Sequence, residues 1–219
     1  MNKYKIKILL IFILLLTIFN VANASIMPLP LIGKTIYLDA GHGGKDPGAY
    51  YKDIYEEDIN LKIVLKLKDK LESMGAVILL TRDDDYDLSD KNAYLRKRSD
   101  LGKRAKIINE SNADIYLSIH LNSSNYSSWS GAQAFYDDIN SNNKHIAEIF
   151  QKGFNKNLNS TKKIKEMTNL YMYKRINIPG VLLELGFISN PNERYLLNTD
   201  EYQNKIVDTI SNSLLEILV

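Results

Sequence analysis

The chain has 219 residues, 25% of them charged and 45% apolar, with three His and no Cys. That balance excludes a disordered chain and a multispan membrane protein. Absent cysteine excludes disulfide frameworks, thiolate metal sites and a cysteine nucleophile, while a formal charge of +2 leaves anionic polymers open as partners.

The chain starts with Lys3, Lys5 and Lys7, an apolar run from Ile8 to Phe19, and the triplet Ala22-Asn23-Ala24. A basic start, an apolar stretch of 12 residues and an A-x-A pattern predict an export signal over residues 1–24. The run falls short of the about 20 apolar residues that span a bilayer. An uncleaved amino-terminal anchor is the alternative, and this segment is then the only contact with the membrane. Removing residues 1–24 takes away three Lys and no acid, which turns the formal +2 into −1. Nucleic acid therefore drops out as a partner.

Residues 25–219 carry no long linker, low-complexity tract or internal repeat, and read as a single catalytic domain. Thr35 to Leu38 predicts a buried strand that ends at a Gly-rich turn. Ile59, Ile63, Val64, Leu67, Leu71 and Met74 mark one face of a helix, which Gly75 stops. Val77 to Leu80 predicts a strand, Leu101, Ala105 and Ile108 a helix, and Ile115 to Ile119 a third strand. Ala132 to Tyr136 adds a strand, Ile146 to Phe154 a helix and Val181 to Leu185 a strand; Tyr202, Ile206, Ile210 and Leu214 stripe a closing helix. The alternation predicts an α/β three-layer sandwich, with a mostly parallel or mixed central sheet flanked by helices. In such sheets ligands bind beyond the carboxyl ends of the strands.

Chemistry-bearing residues fall at those ends. His42 follows the first strand in YLDAGHGGKDPGA, His120 ends the third in DIYLSIHLN, and Glu184 closes a later one in GVLLELGF. Two imidazoles and one carboxylate make a catalytic zinc site with an open fourth position. Asp53, Glu56, Glu57 and Asp58 all offer the third ligand, and all have the simpler role of acids at a helix start. Glycines 41, 43 and 44 let the chain turn tightly around His42; a phosphate loop is the rival, but the P-loop ending and the G-x-G-x-x-G spacing are missing. TRDDDYDLSD lacks the glycine and closing glutamate of a calcium loop and reads as an exposed loop. His145 reads as a solvated residue, LRKRSDLGKR as a solvated helix face with contact to anionic stem peptides or wall polymers as the rival, and SSNYSSWSG, with the only Trp at 129, as a mobile loop beside His120 placed to contact glycan or peptide.

LDAGHGGKDPGA, EEDINL, LLTRDDD, the Leu101, Arg104, Ile107, Asn109 spacing, SIHLN, SGAQAFY and PGVLLELGFISNPNE together resemble one family. It is the zinc-dependent N-acetylmuramoyl-L-alanine amidases of the amidase 3 type, which act on bacterial peptidoglycan. The resemblance implies that His42, Glu56 and His120 bind one Zn²⁺ and that Glu184 is the catalytic glutamate. Asn122 is a candidate donor to substrate or to an oxyanion, or else a turn residue; Arg104 is a candidate substrate contact, and Asp39 a candidate support for a ligand imidazole. The chain departs from the family pattern at Ala40, usually proline, and at Glu57, usually lysine. An export signal before a bare catalytic domain resembles the spore-cortex amidases that help make muramic lactam. It implies a place in the cell wall or the forespore intermembrane space, with an exported partner for activation or targeting. A vegetative autolysin or cell-separation amidase is the alternative; a non-catalytic, zinc-stabilised wall-binding protein is the alternative of another class, and Glu184 argues against it.

Overall fold

The computed structural model describes residues 3–8, 11–13, 29–168 and 170–219; the cleavage pattern and much of the predicted signal lie outside the described residues. Among the described residues no helix is long and apolar enough to cross a membrane.

In chain order the elements are β1 (Thr35–Ala40), the short strands β2 (Tyr50–Tyr51) and β3 (Ile54–Tyr55), α1 (Glu56–Ser73), β4 (Val77–Leu80), α2 (Arg96–Glu110) and β5 (Ile115–Asn122). There follow β6 (Gln133–Tyr136), α3 (Asn143–Asn157), β7 (Lys165–Glu166), a 3-10 turn at Tyr173–Arg175, β8 (Gly180–Phe187), α4 (Pro191–Leu197) and α5 (Asp200–Leu218). The six-stranded sheet has the order β4-β1-β5-β8-β6-β7. β4, β1, β5 and β8 run parallel, and β6 is antiparallel to β8. The sheet is mixed, as the alternation predicts.

Strand periodicity decides which side chains meet. Ile36, Leu38 and Ala40 of β1, Ile115, Leu117, Ile119 and Leu121 of β5, and Val181, Leu183 and Leu185 of β8 join one core with α1, α3 and α5. Tyr37, Tyr116 and Leu182 point to the opposite face and pack with Ala105 and Ile108 of α2 and with the 3-10 turn. Asp39, Ser118, His120 and Glu184 share the parity of that second face. The register sets Asp39 against Ser118 and His120 against Glu184. Two residues that are 64 positions apart in sequence thus become neighbours across one strand pair.

α1 forms as its stripe predicts: Ile59, Ile63, Val64, Leu67 and Leu71 are all buried, and Gly75 takes φ 94° just past the helix end. Truncating Leu67 to Ala is worth about 2–5 kcal/mol by the usual cost of a core cavity. Other boundaries differ from the sequence reading. β5 and β8 run past His120 and Glu184, so both residues lie inside strands. α2 begins at Arg96 and takes in the basic cluster, whose residues flank a buried line of Asp100, Arg104, Ala105 and Ile108.

Candidate metal centre and active site

His42 leaves β1 in the left-handed region, φ 64°, a costly conformation for a residue with a side chain. Arg104 holds the turn in place. Its buried guanidinium donates from Nη1 to the Ala40 carbonyl at 2.8 Å and from Nη2 to the His42 carbonyl at 2.6 Å. Arg82, also buried, donates to the Ala40 and Gly41 carbonyls at 3.0 and 3.1 Å. Gly41 has no room for a side chain, since a Cβ there would stand 2.3 Å from the His120 ring.

Glu56 opens α1 and reaches back over the sheet edge. Its Oε2 accepts the Ala49 N–H at 2.8 Å while its own N–H donates to the Ala49 carbonyl at 2.9 Å. Its Oε1 accepts the Leu121 N–H at 3.0 Å and lies 3.2 Å from His42 Nε2 and 3.0 Å from His120 Nδ1. The β2–β3 hairpin supplies the reversal that brings the helix start to this point. Glu57 cannot reach the same place, because successive helical residues are turned by about 100°. It faces Asp85, and burial together with the Asp85 and Asp58 charges pushes its carboxyl up to about 7. Asp53 and Asp58 are exposed. Of the four acids left open by the sequence, the structure brings Glu56 to the imidazoles.

His42, Glu56 and His120 are the group of described residues able to hold a metal ion, with ligand atoms all within 4.8 Å of one another. Tetrahedral zinc with bonds of about 2.0 Å needs ligand atoms about 3.3 Å apart, close to the 3.0 and 3.2 Å from Glu56 to each imidazole, while the two imidazole nitrogens lie within 4.8 Å of each other. The second His42 nitrogen, Nδ1, is 3.1 Å from Asp46 Oδ2, the carboxylate support typical of a ligating imidazole. Burial opposes charge on Glu56, but hydrogen bonds from His120 and His42 outweigh it and hold the carboxyl well below its usual range. The donors fit a zinc ion.

Glu184 lines the same cleft of about 240 Å³, walled by His42, His120, Leu101, Tyr171 and Met172. Its Oε2 is buried without a hydrogen-bond partner. Burial pushes the carboxyl up to about 7, with Glu56 adding to the rise and the imidazoles opposing it.

The remaining sequence candidates find other places. Asp39 accepts not from an imidazole but from Arg104 Nη1 at 2.8 Å and from the Ser118 hydroxyl at 2.5 Å, with His120 acting on it only through its charge. Arg104 lines the cleft, but Asp39, Asp100 and the two carbonyls engage its guanidinium. Asn122 ends β5, and its carbonyl accepts the Ile188 N–H at 2.9 Å. His145 is exposed and stands by Glu148. The acidic loop has a local task, since Asp85 accepts the Gly44 N–H at 2.6 Å. Sequence reading missed Asp46 and Arg82; the i, i+4 spacing of Asp46 from His42 was the available signal.

A mixed α/β sheet with a two-histidine, one-glutamate group able to hold a metal ion and an ionisable carboxyl in the same cleft is an arrangement suited to a hydrolase. Within that class, residues 36–216 match the N-acetylmuramoyl-L-alanine amidase family, and the chain belongs to it. It is 41% identical over 216 residues to the germination-specific N-acetylmuramoyl-L-alanine amidase of Bacillus subtilis, covering 94% of this chain and 91% of that protein. The solved structure of the CwlD amidase of Clostridioides difficile in complex with the GerS lipoprotein is similar, with a TM-score of 0.81 and 39% identity, over 85% of this chain and 98% of that one. The catalytic domain of CwlV from Bacillus (Paenibacillus) polymyxa var. colistinus matches with a TM-score of 0.74 and 31% identity, over 84% and 98%.

Proposed function

We propose that this amidase works with one Zn²⁺ held by His42, Glu56 and His120, with Glu184 as its proton carrier, and cuts the bond between the lactyl carboxyl of N-acetylmuramic acid and L-alanine. The convergence of His42 Nε2 and His120 Nδ1 on Glu56 Oε1 carries this reading. A bound zinc ion supplies Lewis acidity toward the scissile carbonyl and a water of lowered pKa. Glu184 accepts a proton as the water oxygen attacks the carbonyl carbon, and returns it to the L-alanine nitrogen as the C–N bond breaks. Burial, which raises the Glu184 carboxyl above its usual value, suits a group that takes up a proton and gives it back. Asp46 holds the His42 ring, and Arg104 serves the substrate cleft by fixing the Ala40 and His42 carbonyls. Asn122, at the strand end, is the candidate donor to substrate or to the oxyanion, with a turn role as its alternative.

Likeness to a germination-specific amidase supports a role in the spore cortex, with residues 1–24 as export signal, residues 25–219 as the working domain and the forespore intermembrane space or cell wall as its place. The relative crystallised with a lipoprotein supports an exported partner. The test is digestion of purified peptidoglycan with and without chelator, read by mass spectrometry. Peptide-free muramic acid that requires the metal is the expected product; cleavage inside the stem peptide overturns the reading.

A further inference from the structure

The metal group leaves an exposed aromatic arrangement at Tyr126 and Trp129 unused. The Tyr126 and Trp129 rings stack with centroids 5.9 Å apart and planes at 24°, yet the residues are 66% and 52% exposed. Phe187 meets Trp129 edge-on at 6.2 Å, and Lys162 Nζ lies 5.3 Å from the Trp129 centroid and 5.0 Å from that of Phe187. The turn that carries the pair is tied down. The Trp129 N–H donates to the Tyr126 carbonyl and the Tyr126 N–H to Ser124 Oγ, each at 3.1 Å. Asn190 Nδ2 donates to the Trp129 carbonyl at 3.2 Å, and the Ser124 N–H to Ser189 Oγ at 3.1 Å. The expected mobile loop is thus cross-linked to the segment after β8.

Its place ties it to the reaction. The turn leaves β5 just past Asn122, and Phe187 ends β8, so the rings stand at the carboxyl ends of the two strands that carry His120 and Glu184. Phe187 is three residues beyond Glu184, about 10 Å along the strand. Two large rings held open to water at this edge of the sheet mark a surface that binds a ligand with apolar faces.

We infer that Tyr126 and Trp129 form a saccharide subsite that holds the glycan strand next to the muramic acid whose stem is cut. A pyranose offers a C–H face to an aromatic ring and hydroxyl and acetamido groups at its rim. Asn125, Ser127, Ser128 and Ser130, the exposed chain neighbours of the two rings, supply small neutral hydrogen-bonding groups that suit such a rim. Lys162, the cation over these rings, already interacts with the Glu193 carboxylate, which offsets its charge toward the carboxylates of a stem peptide. The inference rests on the glycan-bearing substrate of the proposed function.

Trp129 is the only tryptophan, so intrinsic fluorescence of the full chain reads this surface directly. Titration with the N-acetylglucosamine tetrasaccharide, which carries no peptide, is expected to change the emission saturably, and Tyr126→Ala, which keeps the reporter, to raise the Kd at least tenfold. Trp129→Ala is expected to lower the ratio of kcat/KM on polymeric peptidoglycan to that on a single-sugar muramyl peptide about tenfold, with Trp129→Phe restoring most of it. An emission change caused by free stem peptide but not by the tetrasaccharide, or an unchanged ratio, overturns the subsite. If the wild-type chain cleaves neither substrate, the amidase reading fails, and the titration still decides the subsite.

Discussion

Arg104 Nη1 lies 2.8 Å from Asp39 Oδ1, with both side chains buried, and the same guanidinium donates to the carbonyls on either side of Gly41. One side chain thus neutralises a buried carboxylate and fixes the turn that presents His42. Removing one partner of such a pair costs about 3–5 kcal/mol, because the other is left charged and unpaired. Arg104→Ala is expected to lose that much in urea unfolding and to bind zinc more weakly. Arg104→Lys keeps the charge without the fork and falls between. A loss under about 1 kcal/mol for the alanine variant contradicts this account.

The same pair sets an acid limit. Burial alone would raise the Asp39 carboxyl, but the Arg104 charge and the Ser118 hydroxyl outweigh it and hold it below the ordinary value. A group depressed in the folded state stabilises fully above its unfolded pKa of about 4 and loses that stabilisation as pH falls through the folded value. With chelator present, so that metal loss adds nothing, unfolding free energy is expected to fall below about pH 4. Asp39→Asn should flatten that slope; an equal slope in the variant removes Asp39 as its source.

Much of this centre was legible in the sequence because strand periodicity and rarity act together. With three histidines in the chain, two of them at predicted strand ends, few sites were possible. The third ligand was not legible from spacing alone, because four acids crowd residues 53–58 and any of them suits a helix start. The hairpin Tyr50–Tyr55 and the Ala49 bonds to Glu56 bring that one acid to the imidazoles, and both are tertiary. The strand ends were misjudged for a similar reason. β5 and β8 continue past His120 and Glu184 because they pair with each other, with a register shift between His120 and Asn122 that no one-strand pattern contains. Short elements such as β7 and the 3-10 turn depend on neighbours and left no periodic trace.

Metal content separates the acids. His42→Ala and Glu56→Ala are expected to leave the purified protein with little zinc, whereas Glu57→Ala, whose carboxyl faces Asp85, keeps about one ion per chain. Stoichiometry by plasma emission spectroscopy decides it, and loss of zinc in the Glu57 variant alone would falsify the assignment of Glu56. Because a ligand that binds only the folded state stabilises it, chelation should also lower the melting temperature of the wild type and leave that of the Glu56 variant unmoved.

Glu184→Gln tests proton transfer apart from metal binding. The amide keeps the size of the side chain and removes the basic oxygen pair, so kcat is expected to fall about 10²- to 10⁴-fold with zinc content unchanged. Peptidoglycan turnover and metal analysis on the same preparation provide both readouts. Full activity in this variant would exclude Glu184 as the proton carrier.

Gly41→Ala tests the packing beneath the metal group. The added Cβ would stand 2.3 Å from His120 Cε1 and Nε2, too close for any real contact, so the ring must tilt or the turn must move. The turn is held by Arg82 and Arg104 through the Ala40, Gly41 and His42 carbonyls, so the ring is the part that yields. A tilted His120 no longer presents Nδ1 to Glu56 Oε1, which predicts weaker zinc binding by about 10- to 100-fold, the range seen when the supports of a ligand are lost. The core below is untouched, so far-ultraviolet circular dichroism should match that of the wild type. Zinc titration against a competing chelator measures the loss, and an unchanged affinity would mean that the turn, not the ring, gives way.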